Sequence, residues 1–394
     1  MDRIESFHSI SRVRIGNPTS LKSANLTFWM RDGRTVSVAE AGNPDGVPVF
    51  MMYGLGGSRL FVYYYNDIGI KLGLRLISAD RPGRGLSTNQ ENRTFMDWAL
   101  DVEEIANQMK LPCFGLWGFS VGALHALACA CHPPLAEKIL GKVIAVSTWA
   151  PPDTAGSKKR IKMLKYLPTG IQRSIPLVWN KALERLTERQ KKFLEKDFNG
   201  ELLPEDELYF NIDNEARRQG TKGFTEEFLM CCRSHEELDF DLAGVLKPVR
   251  MYAGVGDTLV NILASRLLAF KIPECDYTEV PDVDHDYLMR MSAVEYVLAE
   301  QRDRFWKEAV ENFAFGLPPG ASSTDPETSA KPDQPAPSDL ENPPNCDISE
   351  EMDDLRSRSP DSADGRRFVV PEADGGEEFN RSSPDCEILP LNIR

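Results

Sequence analysis

The sequence predicts a doubly wound α/β fold built on a mostly parallel, eight-stranded sheet. Eight short apolar runs alternate with longer amphipathic stretches between residues 24 and 316. From "VPVFMMY" onward most runs are apolar throughout, as is typical of parallel strands whose two faces are covered by helices. Strand and helix patterns that alternate in this way favour a doubly wound sheet over a barrel or an all-β sandwich.

The eight runs can be assigned in chain order. The first two, "NLTFWM" and "TVSVAEA", are separated only by "RDGR" and predict an antiparallel hairpin at the edge of the sheet. The next four are "VPVFMMY", "LRLISAD", "CFGLWG" and "KVIAVST", and the last two are "PVRMYAG" and "CDYTEV". Amphipathic patterns predict helices over residues 94–109 and 121–131.

A long helix-rich insertion separates the sixth run from the seventh. Residues 151–242 contain "KRIKMLKYL", "ALERLTERQKKFLEKDF" and "TEEFLMCCRSHEEL", and they are too many for an ordinary loop. The insertion leaves the sheet at the carboxyl ends of its strands, where open α/β sheets bind ligands. We therefore expect a helical cap over a binding site, with residues 24–150 and 243–316 forming the core. A structural ornament remote from the site is the alternative.

The two ends of the chain have a different composition. Residues 1–23 form a leader, and residues 317–394 are rich in Pro, Ser, Asp and Glu. This tail holds 18 acidic and 7 basic residues and so carries −11 of the formal net charge of −14. With so few apolar residues to bury, it is predicted to be disordered. The remaining net charge, near −3, does not favour nucleic-acid binding.

The tail offers sites for regulatory partners or kinases. Ser359 and Ser383 each precede a proline, and Ser349 lies in an acidic context, so phosphorylation could change the charge of the tail further. An inert solvated tail is the alternative.

Truncation after Pro319 is expected to leave the activity of the folded core and its melting temperature nearly unchanged, because so polar a segment has little apolar surface to bury against the core. Activity assays and thermal melts of the truncated chain would check this. A large loss of activity or stability would show that the tail packs on the body.

The sequence also indicates the cellular compartment of the protein and the redox state of its cysteines. The N-terminus lacks the apolar segment of a secretory signal, and no run of about 18 apolar residues occurs, so we expect a cytoplasmic protein without an integral membrane segment. Two cysteine pairs, Cys129/Cys131 and Cys231/Cys232, lack the spacing of zinc ligands and are expected to be reduced thiols.

One serine lies between two glycines where a strand pattern gives way to a helix pattern. In the segment Gly118-Phe119-Ser120-Val121-Gly122, "CFGLWG" supplies the strand and "VGALHALACAC" the helix. This strand-turn-helix step is the setting that a nucleophile elbow requires. An ordinary small residue at a strand-to-helix junction is the alternative for the serine.

Between about Ala24 and Asn312, the chain resembles the α/β-hydrolase superfamily. Four motifs carry the resemblance in the order of that family: "MYGLGGSR", "DRPGRGLS", "GFSVGA", and "YAGVGD" followed by "VPDVDHDYL". The resemblance implies a capped fold with serine chemistry.

The resemblance also assigns roles to individual residues. It implies that Ser120 is the nucleophile, His285 the base and Asp257 the acid that orients this base. It further implies that the backbone N–H groups of Leu55 and Val121 form an oxyanion hole. The first glycine-rich motif departs from the common pattern, because Tyr53 precedes Gly54 where many members have a histidine.

The assignments have alternatives along the chain. His285 could instead be a polar residue at a helix start, and Asp257 could be the N-cap of the helix predicted from "TLVNILASRLLAF". The four other histidines lie in the leader, on or just after the elbow helix, and in the insertion: His8, His125, His132 and His235. Weaker candidates for the acid lie next to the histidine: Asp282, Asp284 and Asp286.

These patterns, together with the resemblance, predict a serine hydrolase that cleaves an ester, thioester or related small-molecule acyl compound through an acyl-enzyme formed on Ser120, without a cofactor or a metal. "GLGGSR" lacks the third glycine of a dinucleotide-binding fingerprint, and no Gly-Lys-Ser/Thr motif or two-histidine metal motif occurs. A triad-retaining ligand sensor with slow turnover, or a lyase or C–C bond hydrolase of the same fold, is the alternative. The basic runs "KKRIKMLK" and "RQKK" are expected to be solvated helix faces, with contact to an acidic substrate or a membrane surface as the alternative.

Overall fold

The computed structural model describes residues 18–197 and 204–313, all of which belong to one compact unit, Met1–Thr324. Most of the predicted leader and the whole predicted tail, residues 317–394, lie outside the described residues, so the disorder predicted for the tail stays a prediction.

The sheet has eight strands, and each of the eight predicted runs forms one of them. The strands are β1 Leu26–Trp29, β2 Thr35–Gly42, β3 Val47–Met52, β4 Leu74–Ala79, β5 Gly115–Phe119, β6 Val143–Val146, β7 Val249–Gly254 and β8 Cys275–Val280. Their order is β1-β2-β4-β3-β5-β6-β7-β8. The two pairings that involve β2 are antiparallel and the other five are parallel, which confirms the edge hairpin and the mostly parallel sheet.

Helices cover both faces of this sheet. In chain order they are α1 Asn66–Leu72, α2 Phe95–Gln108, α3 Val121–Cys131, α4 Pro133–Ala136, α5 Lys159–Lys162, α6 Thr169–Asp197, α7 Pro204–Ala216, α8 Lys222–Cys231, α9 Ile262–Lys271 and α10 Met291–Phe313. The predicted helices over 94–109 and 121–131 are α2 and α3. A capping box at Thr94 and Asp97 fixes the start of α2.

Two hydrophobic clusters lie on opposite faces of the sheet. One contains Phe50 and Ile77 from the strands with Val102 from α2, and the other contains Val49 and Trp117 with residues of α1 and α10. Strands such as β3 and β5 are buried at every position because they contribute to both clusters. This arrangement explains why their sequences are apolar throughout.

Four helices, α5 to α8, lie in the insertion of residues 151–242 between β6 and β7. Helix α8 packs against α6 through the rings of Trp179, Phe224 and Phe228. Within residues 18–197 and 204–313, no helix combines the length and the apolar character needed to cross a membrane.

Candidate active site

Ser120 lies on a sharp turn between β5 and α3. Its φ of +54° and ψ of −122° are rare for a residue with a side chain, and its backbone N–H is held by the carbonyl of Val146 at 2.9 Å. The flanking glycines are required by close approach. A Cβ on Gly118 would lie 2.5 Å from the carbonyl oxygen of Gly122, and one on Gly122 would lie 2.2 Å from that of Met52.

The structure brings Ser120, His285 and Asp257 together at the carboxyl end of the sheet. The Nε2 atom of His285 is 3.1 Å from Oγ of Ser120, and its Nδ1 atom is 2.7 Å from Oδ2 of Asp257. All three residues are buried. Because a carboxylate only accepts hydrogen bonds, Nδ1–H donates to Asp257 in the neutral imidazole, and Nε2 is left to accept the hydroxyl proton of Ser120.

Backbone and side-chain contacts fix this arrangement. Oδ1 of Asp257 accepts hydrogen bonds from the N–H groups of Leu259 and Val260, at 2.7 and 2.8 Å, which leaves Oδ2 for the histidine. The hydroxyl of Ser147 donates to the carbonyl of His285 at 3.1 Å. The positions of the acid and the imidazole are therefore set by the loops that follow β6, β7 and β8.

The N-cap alternative for Asp257 is wrong. Helix α9 begins at Ile262, and its N-cap is Asn261, whose side chain accepts a hydrogen bond from the N–H of Leu263. The side chain of Asp284 accepts from the N–H of Tyr287.

The other described histidines have partners elsewhere. Nδ1 of His125 contacts the carbonyl of Val121 at 2.9 Å, and burial holds the pKa of this imidazole well below its usual range. His132 contacts Glu103, and Nε2 of His235 is 2.9 Å from Oγ1 of Thr154. His8 lies outside the described residues.

Two backbone N–H groups border the serine. Val121 is the first residue of α3, and Leu55 lies in the loop of residues 53–58 that follows β3, hereafter the β3 loop. A Cβ on Gly54 would lie 3.4 Å from Cβ of Ser120, which places this loop beside the serine. Among the described residues, neither the Leu55 nor the Val121 N–H has a hydrogen-bond acceptor. The arrangement could supply two donors to an oxyanion.

Tyr53, the departure from the common motif, anchors the β3 loop. It is buried, and its hydroxyl accepts a hydrogen bond from the N–H of Arg81 at 2.8 Å. The guanidinium of Arg81 lies 3.9 Å from the centre of the Tyr53 ring and donates to the carbonyls of Tyr53 and Gly54, at 2.8 and 2.9 Å. Arg81 thus fixes the main chain of the β3 loop, which contains Leu55, through two hydrogen bonds.

A carboxylate from the insertion completes this contact. Nε of Arg81 donates to Oε1 of Glu227 on α8, and Nη2 of Arg93 lies 3.2 Å from the same oxygen. All three side chains are almost fully buried. Burial alone would raise the pKa of Glu227, but the Arg81 and Arg93 guanidinium groups outweigh it and hold this pKa at about 2.

A second buried ion network joins the insertion to the same region. Arg59, directly after the β3 loop, contacts both Asp80, directly after β4, and Glu215 on α7. The backbone N–H of Arg59 also donates to Oδ1 of Asp80 at 2.7 Å. Both networks were missed by sequence reasoning. Within the described part of the chain, no group of three His, Cys, Asp or Glu side chains could hold a metal ion.

Comparison with known proteins identifies related sequences. A family model described as "alpha/beta hydrolase fold" matches residues 47–289. Proline iminopeptidase from Neisseria gonorrhoeae is 28% identical over 177 residues, covering 43% of this chain and 52% of the relative. Proline iminopeptidase from Neisseria meningitidis serogroup A is 27% identical over 222 residues, covering 54% and 64%. The chain thus spans about half to two thirds of the length of these relatives.

Solved structures share the fold at low identity. A thermophilic esterase from Thermogutta terrifontis superposes with a TM-score of 0.50 at 19% identity, covering 71% of this chain and 98% of that protein. The enol-lactonase from Burkholderia xenovorans gives a TM-score of 0.51 at 16% identity, covering 70% and 98%. At these identities the likeness concerns the fold.

Proposed function

The chain belongs to the alpha/beta hydrolase fold family, and on this basis we propose that it is a serine hydrolase that cleaves an ester or thioester through an acyl-enzyme on Ser120. The observation that carries the proposal is the hydrogen-bonded series from Ser120 through His285 to Asp257. Ser120 lies on a strained turn beside the N–H groups of Leu55 and Val121, for which the described part of the chain offers no acceptor. A hydroxyl is a weak nucleophile at neutral pH and needs such a base to take its proton.

The proposed reaction has two halves. Oγ of Ser120 forms a bond to the acyl carbon while Nε2 of His285 takes the hydroxyl proton, and Asp257 stabilises the resulting imidazolium. The N–H groups of Leu55 and Val121 stabilise the oxyanion until the bond to the leaving group breaks, and the imidazolium protonates that group. Water then attacks the acyl-enzyme with His285 as base, which releases the acid and restores the hydroxyl of Ser120.

We further propose that the insertion, residues 151–242, is a cap that shapes the acyl pocket. Phe224 of α8 is buried, and its Cε2 would lie 3.7 Å from a Cβ on Gly56 in the β3 loop. The indole N–H of Trp149, which follows β6, donates to the carbonyl of Cys231 at the end of α8. Helix α8 therefore packs on loops that border the serine, as a substrate-covering element must.

Phe224→Leu is expected to shift the preferred acyl length while sparing p-nitrophenyl acetate, because a small activated ester needs little of the pocket. One methylene in an apolar pocket changes kcat/KM by about 10-fold or more, so the ratio between octanoate and acetate esters is the measurement. Phe228→Leu is the matched control, since both rings pack on Trp179 and, among the described contacts, it is the Phe224 ring that approaches Gly56 of the β3 loop. Equal losses on every ester would point to a structural role for Phe224.

The buried glutamates of the insertion favour an acyl substrate over an N-terminal peptide. An unblocked N-terminal amine is cationic at pH 7, and its burial requires a partner of opposite charge. Glu215, Glu226 and Glu227 are each in contact with at least one arginine. These carboxylates are already neutralised, which favours an uncharged acyl compound over the substrates for which the Neisseria relatives are named.

A substrate panel with the purified full-length chain tests this function. We expect hydrolysis of p-nitrophenyl acetate, butyrate or octanoate and no cleavage of L-proline p-nitroanilide. Faster cleavage of the anilide would contradict the acyl substrate and support a peptidase. Absence of turnover on acyl esters, thioesters and amides, together with saturable binding, would contradict the hydrolase itself.

The buried ion pair between Glu227 and Arg81 suggests that these residues position the β3 loop for the same reaction. We propose that Glu227 orients Arg81, and that Arg81 in turn holds the carbonyls of Tyr53 and Gly54 so that the next residue, Leu55, aims its N–H at the oxyanion. The contacts that support this are those of the Arg81 guanidinium, which bonds the β3 loop and Glu227 at once.

A further inference from the structure

The solvent face of α6 carries apolar and basic side chains together. Val178, Leu186 and Phe193 expose 71%, 46% and 63% of their surface. With 3.6 residues per turn they lie within an arc of roughly 80°. The opposite side of the helix faces the protein, where Pro176 and Thr187 are buried. The three apolar residues therefore form a stripe along the outside of α6.

A basic flank runs beside this stripe. It consists of four exposed residues: Lys181, Arg185, Arg189 and Lys192. At 3.6 residues per turn they cover an arc of roughly 80° that partly overlaps the apolar stripe. Among the described residues, none of the four forms an ion pair. The surrounding segment, residues 158–193, holds 11 basic and 2 acidic residues.

We propose that this face of α6, the stripe and the basic flank together, docks the protein on an anionic membrane surface. An amphipathic helix with apolar and cationic residues side by side lies in the interface plane, with its apolar residues among the acyl chains and its cations at the headgroups. Each Lys or Arg near an anionic leaflet strengthens binding about five-fold. The long stems of these side chains can reach the headgroups while the helix lies flat.

Charge complementarity favours an anionic membrane over a second copy of the chain as the partner of this face. A two-fold contact through this face would place the basic flank of one copy close to that of the other, and like charges at an interface disfavour association. A nucleic acid would match the charge but not the exposed valine, leucine and phenylalanine. Anionic lipid satisfies both the charge and the apolar stripe.

Flotation of the full-length protein with vesicles tests the proposal. We expect binding to phosphatidylcholine vesicles containing about 30% phosphatidylserine, little binding to pure phosphatidylcholine, and weakening at about 0.5 M salt, where charges are screened. Ser120→Ala should bind equally well, because docking does not use the proposed nucleophile. Equal binding to both vesicle types, or to neither, would overturn the proposal.

Charge variants locate the contact. The four residues of the basic flank are replaced by glutamine together, and the vesicle affinity is expected to fall at least about 100-fold. The matched control replaces four exposed lysines elsewhere with glutamine: Lys22, Lys110, Lys271 and Lys307. The control should lose little affinity, and an equal loss in both variants would show that only net charge matters.

A variant of the apolar stripe distinguishes insertion of its side chains into the membrane from electrostatic attraction of the basic flank. Val178→Ser with Phe193→Ser is expected to lower vesicle affinity about 10-fold or more while keeping the salt dependence, since only apolar burial is lost. Thermal melts check that both variants fold. Unchanged vesicle binding of this variant, or a dimer in sedimentation velocity that the variant dissociates, would contradict the membrane as occupant.

Discussion

Ser120→Ala is expected to lower kcat on any acyl ester by about 10⁴ to 10⁶ while leaving the melting temperature nearly unchanged. The hydroxyl is the nucleophile of the acylation step, without which no acyl-enzyme forms, and its removal deletes a single oxygen. A fluorophosphonate probe should label the wild-type chain covalently and fail to label this variant, because its tetrahedral phosphorus mimics the intermediate. Undiminished hydrolysis by Ser120→Ala would make Ser120 an ordinary junction residue.

Variants of the two partners sharpen this test. His285→Ala should cost about as much as the loss of the serine, and Asp257→Asn somewhat less, since the remaining groups still position and polarise the substrate. Variants that combine these substitutions should have a kcat little lower than that of the single variants, because the three residues act as a unit. His132→Gln is the matched control, since its imidazole contacts Glu103 on α2.

The main features of the fold were predictable because they depend on local patterns. Strands buried on both faces leave an apolar run such as "VPVFMMY", and the strand-turn-helix step around Ser120 leaves two glycines at fixed spacing. The positions of Asp257 and His285 followed from resemblance to a family, since they are 28 residues apart and no local pattern links them.

Contacts between distant segments were not predictable in this way. Arg81 and Glu227 are 146 residues apart. Arg81 lies in the family motif "DRPGRGLS" and Glu227 in a helical pattern of the insertion, and neither pattern indicates that the two side chains meet. The N-cap alternative for Asp257 shows the same limit at short range. Both Asp257 and Asn261 suit a cap chemically, and the path of the loop decides that Asn261 caps α9.

The exposed basic segments were open to two interpretations for a related reason. A run such as "RQKK" is compatible with a solvated helix and with a membrane-facing one. What separates them is the placement of Val178, Leu186 and Phe193 on the same outward face, and this depends on which side of α6 packs on the protein.

The second large effect is expected from Glu227→Gln, which should lower the free energy of unfolding by about 3 to 5 kcal/mol, as is typical when one partner of a buried ion pair is removed. The change leaves the buried Arg81 and Arg93 without their carboxylate. Glu226→Gln is the matched control. The ion-pair partner of Glu226, Arg173, is about half exposed, and glutamine can still accept the hydrogen bond that the N–H of Asn92 donates to Glu226, so the loss should be about 1 kcal/mol or less.

The kcat of the Glu227→Gln variant distinguishes a positioning role of Glu227 from a purely stabilising one. If Glu227 orients the β3 loop through Arg81, Glu227→Gln should lower kcat about 10-fold with little change in KM, measured at a temperature where it remains folded. One oxyanion donor contributes a factor of about 10² to 10³ to kcat, so a Leu55 N–H that no longer points at the oxyanion should lose part of this factor. Glu227→Asp, which keeps the charge, should recover part of the loss. An unchanged kcat in a destabilised variant would leave Glu227 with a structural role only.

The pH dependence of stability follows from the same pair. Because the folded-state pKa of Glu227 is about 2, below its ordinary value of 4.5, its stabilisation is fully present above about pH 4.5 and is lost as pH falls toward 2. The difference in unfolding free energy between wild type and Glu227→Gln should therefore be constant from pH 7 to 5 and narrow below pH 4.5. Urea denaturation of both chains at successive pH values measures it. A difference that stays constant through this window would show that Glu227 keeps its ordinary pKa, and that the guanidinium groups of Arg81 and Arg93 do not stabilise its charge.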